Sequence, residues 1–126
     1  MSDHNHDLLT NMIERWNAHD NEHLYGLLVH DYREYLNGVL VKNGRADARE
    51  ADKFLYDTIP DYRAEVDDLY VDEHGAAMRW RFIGTGPNGP FELPVASFYR
   101  IAQGRIVECW QYGDSAANAH ALGLDT

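Results

Sequence analysis

A single cysteine, Cys109, leaves no partner for an intrachain disulfide and too few thiols for a multi-cysteine metal site, which fits a reducing compartment. Basic residues are also scarce: eleven Lys and Arg stand against 21 Asp and Glu, for a formal net charge of −10. That balance argues against nucleic acid or an anionic membrane surface as a partner. No apolar run approaches the ~18 residues of a membrane span, and the opening MSDHNHD lacks a basic segment followed by an apolar core. The expected location is the cytoplasm. A phosphate cradle is missing too, because GTGPNGP follows a strand, contains two prolines and opens no helix. Of the seven histidines His19 and His23 stand four apart with acids between them, but His19 falls in the AHDN turn at a helix end and His23 beyond it rather than on one helix face, so neither a metal nor another cofactor is expected.

What remains is 126 residues with the patterning of one domain, long enough to bury roughly two-thirds of its unfolded surface. Residues 1–6 read as a flexible tail. Leu9, Met12, Ile13 and Trp16 then recur at helical steps, which predicts a helix over about residues 7–19. AHDN turns the chain into a short second helix carrying Leu24, Leu27 and Leu28. From Asp31 the period changes to alternation, and DYREYLNG predicts a strand at about 32–37. VLVKNGRADA reads as a loop, ADAREADKFLYDTI as a helix stopped by Pro60. Four further strands, YRAEVDDLYVD, AAMRWRFIGTG, FELPVASFYRI and RIVECWQYGD, are separated by the turn signals DEHG, GTGPNGP and AQG.

Helices first, then mostly strands, make an α+β plan. The expected architecture is a cone: a curved antiparallel or mixed β-sheet wrapped around the N-terminal helices, enclosing a concave, mostly apolar pocket of the kind small ligands use.

The segments RWNAHDNEHLYGLL, IPDYRAEVDDLYVD, AAMRWRFIGTG and SFYRIAQGRIVECWQYGD, in that order, resemble the SnoaL-like polyketide cyclases of the nuclear-transport-factor-like superfamily. The resemblance covers nearly the whole chain and implies the cystatin-like roll of that superfamily as a single domain over 1–126. It also implies that Asp114, four residues after the strand Trp110, is a general acid/base. The chain departs from the cyclase pattern in the short GTGPNGPFELP connection and in lacking an evident His in ELPVASFYR. The resemblance therefore carries the fold further than it carries the anthracycline type of ring closure.

Trp110, Tyr112 and Asp114 lie two apart, so alternation sets an acid on one face with two rings. A carboxylate in an apolar cavity has its charged form disfavoured, which moves it toward the range useful for proton transfer. The competing role for Asp114 is to cap SAANAHALG. Tyr35 and Asn37 share a face of the first strand and are candidates to hold a carbonyl or a water; the alternative makes Tyr35 a core residue and gives Asn37 to the turn before Gly38. In MRWRF one face carries Arg79 and Arg81 and the other Met78, Trp80 and Phe82. Bulk favours Trp80 inward, and inward arginines would bind an oxyanion. Tyr99 is a further candidate, and Cys109, pointing away from the Trp110 face, reads as a packed thiol.

The function expected is cofactor-independent acid/base chemistry, of cyclase, isomerase or dehydratase type, on a small hydrophobic carbonyl compound. Its alternative is a non-enzymatic small-ligand-binding or dimerisation module of the same fold. The partners expected are that small ligand and a second copy docked through the sheet, with no nucleic acid and no membrane.

Overall fold

The structure, a computed structural model, describes residues 2–125. Ten elements follow in chain order: α1 (Ser2–Asn17), α2 (Asn21–Tyr25), β1 (Leu28–Leu36), β2 (Val39–Asn43), α3 (Arg45–Thr58), β3 (Arg63–Val71), β4 (Gly75–Gly86), β5 (Gly89–Ala102), β6 (Arg105–Tyr112) and α4 (Ser115–Ala121).

Helix α1 turns its stripe of Leu8, Leu9, Met12, Ile13 and Trp16 onto the sheet, as its period requires. It begins earlier than the flexible tail expected over residues 1–6. Residues 2–6 are its first turns, because Asn5 is buried and donates Nδ2 to the carbonyl oxygens of Asp72 and Glu73 at 2.9 and 3.1 Å. Met1 lies outside the described residues. At the other end Asn17 pairs with the backbone of Ala64 in both directions, at 2.9 and 2.7 Å, and ties the helix to β3.

The stretch VLVKNGRADA, expected as a loop, contains β2. Asn37 and Gly38 take φ of 50° and 86°, the left-handed pair that suits a two-residue hairpin, and the chain folds back on β1. The sheet therefore has six strands in the order β2-β1-β6-β5-β4-β3. It is mixed, since β1 and β6 run parallel while every other pair is antiparallel.

Two irregularities decide which side chains face inward. Between β5 and β6, Ile101 pairs with Ile106 and Arg100 with Glu108, so Val107 is an extra residue and the alternation of β6 reverses across it. Between β1 and β2, Glu34 pairs with Lys42 and Tyr35 with Leu40, leaving Val41 as the extra residue.

The concave face and the helices enclose the core, where Leu9, Ile59, Tyr62, Ser97, Ile106 and Cys109 are essentially sealed from solvent. Trp16 of α1 meets Trp80 of β4 edge-on with ring centroids 5.9 Å apart, a favoured aromatic geometry. Helix α4 closes one end of the cone. It can approach because residue 86 is glycine: a Cβ there would stand 2.2 Å from the carbonyl oxygen of Ala121. Among the described residues no helix is long and apolar enough to cross a membrane.

Candidate functional site

Between the concave face and helices α1, α3 and α4 lies a cavity of about 460 Å³. Its walls are apolar and aromatic: Met12 and Trp16 from α1, Trp80 and Phe82 from β4, Leu55 from α3 and Leu122 after α4. Such a space suits a small hydrophobic ligand, and a few converging polar groups would fix its orientation.

Those polar groups come from β1, β2 and α3. Glu34 projects inward from β1 because Tyr32, Glu34 and Leu36 share the concave face. Lys42 is set opposite Glu34 by the β1/β2 register. Asp52 stands in the apolar stripe of α3, one turn after Ala48, and is buried with it. Lys42 Nζ donates to Asp52 Oδ1 at 3.0 Å and forms a looser ion pair with Glu34 Oε2 at 3.5 Å. The Tyr25 hydroxyl donates to Asp52 Oδ2 at 2.6 Å, and the Tyr32 hydroxyl to Glu34 Oε1 at 2.7 Å. A continuous chain results: Tyr25, Asp52, Lys42, Glu34, Tyr32.

The side chains of Lys42, Glu34 and Asp52 are 17, 14 and 6% exposed, so bulk water screens these pairs little. Burial by itself works against the Lys42 ammonium, yet the carboxylates of Glu34 and Asp52 outweigh it and hold the amine above its usual range, hence protonated. Burial, reinforced by the adjoining carboxylate, pushes the Tyr25 and Tyr32 phenols far up, so both stay neutral donors. Burial does the same to Tyr99. Glu34 is left with one oxygen held by a tyrosine and the other, beside Lys42, accepting no hydrogen bond among the described residues.

Of the residues singled out from sequence, Trp80, Tyr99 and, at its mouth, Asp114 line this cavity. Trp80 points inward, its indole N–H donating to the buried Ser97 hydroxyl at 2.8 Å. Arg79 and Arg81 point outward, where Arg79 Nε meets Asp68 at 2.8 Å and Arg81 is shared among Asp67, Glu65 and Glu92.

Tyr35, Trp110 and Tyr112 also lie on the convex face, contrary to the expectation that they contact a substrate in the pocket, Trp110 as a wall and the two tyrosines as hydrogen-bonding groups. Tyr35 and Trp110 stack with planes 8° apart, Arg100 sits over the Trp110 ring, and Tyr112 meets Phe98 edge-on. The physical reason is strand parity. Tyr35 alternates with Tyr32, Glu34 and Leu36, while in β6 the residue inserted at Val107 sends Cys109 and Gln111 inward and Trp110 and Tyr112 outward. Cys109 is fully buried, and burial raises its thiol well above the ordinary range.

Asp114 does not share a face with those rings. The chain leaves the sheet at Gly113, which brings Asp114 to the cavity mouth, exposed, with its carboxylate accepting the Ala117 N–H at 3.0 Å as the N-cap of α4. Asn37 lies outside the cavity and anchors the same corner. Its Nδ2 donates to Gly113 O at 2.9 Å and to Ser115 Oγ at 2.5 Å, and its Oδ1 accepts from Gly113 N at 3.1 Å.

Sequence reasoning passed over Tyr25, Tyr32, Glu34, Lys42 and Asp52. Two of them left a signal: Asp52 is an acid inside an otherwise apolar helical stripe, and Glu34 sits on one of the two alternating sets of DYREYL. Lys42 left none once its strand was taken for a loop. Among the described residues no group of three His, Cys, Asp or Glu side chains is placed to hold a metal ion.

A family model described as SnoaL-like polyketide cyclase matches residues 6–122. Among solved structures, IdmH of Streptomyces antibioticus, provisionally described as a polyketide cyclase, is 26% identical with a TM-score of 0.77, over 93% of this chain and 96% of that one. TsrD of Streptomyces laurentii is 22% identical with a TM-score of 0.81, over 99% and 98%. An NTF2-like protein of unknown function from Burkholderia pseudomallei is 17% identical with a TM-score of 0.84, over 94% and 97%. No curated protein matches. The fold is the nuclear-transport-factor-like, ketosteroid-isomerase-like one.

Proposed function

Because the chain belongs to the SnoaL-like polyketide cyclase family, we propose that it is a cofactor-independent acid/base enzyme that cyclises, isomerises or dehydrates a small hydrophobic carbonyl compound in its cavity. One observation carries the reading: a carboxylate, Glu34, stands in an apolar cavity with one oxygen oriented by Tyr32 and the other beside a protonated lysine. Glu34 takes a proton from the carbon next to the substrate carbonyl, and the C–H electron pair shifts so that the carbonyl oxygen becomes an enolate. The Lys42 ammonium, no longer opposed by a charged Glu34, turns to that oxygen. Asp52 and Tyr25 hold the lysine in place. In an isomerisation, Glu34 returns the proton to a different carbon. In a cyclisation, the enolate carbon bonds to a second carbonyl carbon, the π pair of that carbonyl goes to its oxygen, and Glu34 protonates the resulting alkoxide.

In this reading Asp114 guards the mouth and anchors α4, and Trp80 and Tyr99 form the walls. The test is exchange of the α-hydrogens of β-tetralone in deuterated buffer, followed by NMR. The native protein accelerates it, Glu34→Gln loses about 10²–10⁴-fold of the acceleration, and Asp114→Asn keeps it. The reverse pattern returns the proton-transfer role to Asp114. A native protein no faster than buffer would leave the binding module as the function.

A second reading concerns the convex face. Phe98 and Tyr112 are 48 and 46% exposed side by side there, an apolar patch that favours a second copy of the chain as its cover.

A further inference from the structure

The charged groups lining the cavity do not balance. Among the described residues Glu34 from β1, Asp52 from α3 and Asp114 at the mouth before α4 contribute three carboxylates, and Lys42 from β2 contributes one ammonium. The lining phenols of Tyr25, Tyr32 and Tyr99 are held neutral. Other nearby cations are engaged elsewhere: Arg49 lies over the Tyr25 ring and pairs with Glu22 at 3.2 Å, and the Arg45 guanidinium donates to the Leu28 carbonyl. A lysine in an apolar pocket would ordinarily suggest a receptor for carboxylate or phosphate. Here it is already shared between two acids.

We infer that the cavity selects its ligand by charge sign, admitting neutral or cationic hydrophobic compounds and rejecting carboxylates and phosphate-bearing thioesters. The inference rests on the reading of the cavity as the substrate site, and it narrows the substrate class. An anionic ligand adds a second uncompensated negative charge to the Glu34, Lys42 and Asp52 group, in a space with little water to screen it. An ammonium ligand meets Glu34 Oε2, which among the described residues accepts no hydrogen bond and has only the loose 3.5 Å ion pair with Lys42, and the faces of the aromatic walls. The chemistry proposed above obeys the same constraint. Starting from a neutral ketone, proton transfer to Glu34 moves one negative charge onto the substrate oxygen and leaves the total unchanged. A substrate that begins as an acid would reach the enolate with one charge more.

Three probes with a common ring and chain length test this: naphthylethylamine, naphthylethanol and naphthylacetate, titrated into the native protein by calorimetry near neutral pH. The amine and alcohol bind, and the acetate binds roughly tenfold or more weakly than the alcohol. Asp52→Asn and Glu34→Gln, each removing one lining charge and each checked for folding by circular dichroism, narrow that gap. An acetate that binds as well as the alcohol to the native protein overturns the inference and leaves the acid/base reading standing. Failure of all three to bind overturns both, because the cavity would then not be a ligand site.

Discussion

Replacing Lys42 by Met keeps the length and apolar stem of the side chain and deletes its charge. Glu34 and Asp52 then lose the cation that both of them pair with. At an effective dielectric constant of about 20, the 3.0 and 3.5 Å contacts are each worth roughly 5 kcal/mol of Coulomb energy before desolvation is subtracted. Desolvation offsets much of this, and removing one partner of a buried pair costs about 3–5 kcal/mol. That is a large part of the ~5–15 kcal/mol that stabilises a typical domain. Urea denaturation of Lys42→Met should show that loss, with the melting temperature falling by roughly 10–20 °C. The double variant Lys42→Met/Asp52→Asn should recover much of it, because the repulsion between the acids disappears. The pH dependence has a definite sign. The folded amine sits above its ordinary value of 10.5, so its contribution is complete below that value and is lost as pH rises through the higher folded one. From about pH 6 to 9 the penalty of Lys42→Met due to the lysine should therefore be level. A loss under ~1 kcal/mol, or a double variant no more stable than the single, would refute the coupled charge chain.

Asp114→Ala removes the cap of α4 and should cost about 1 kcal/mol, read locally as faster amide hydrogen exchange at Ala117, whose N–H it accepts at 3.0 Å; unchanged exchange would refute the capping role. Cys109, fully buried and with its thiol pushed up, should resist Ellman's reagent in the native protein and react stoichiometrically once urea unfolds it. Rapid native labelling would mean the sheet opens there. If the convex patch pairs two copies, the native protein should sediment as a dimer and Phe98→Glu as a folded monomer, since a charge at a residue 48% exposed in one copy would be buried in the pair; a native monomer at high concentration would rule the pairing out.

The elements most legible in the sequence were those with long, uninterrupted periods. The stripe of α1, the alternation of MRWRF and the turn signals between the last strands are clear enough to determine their own assignment. The short β2 was not legible as a strand, because five residues do not establish an alternation against the NG signals on both sides. Its Asn37-Gly38 turn is nonetheless a hairpin signature that the sequence contains.

Face assignment failed for a different reason. Alternation says which residues of a strand go together, not which set points to the core. In β1 the choice fell on Tyr35 and Asn37, while the helices cover Tyr32 and Glu34. In β6 an inserted residue reversed the parity before Cys109.

By itself the sequence determined that the fold is α+β and that helices precede a mainly antiparallel sheet. Those properties are local or summed over the chain. Which acid enters the pocket was decided only by the tertiary structure. Glu34, Lys42 and Asp52 come from three elements, and they meet through one strand register, one extra residue and the packing of α3, none of which any of the three segments contains alone.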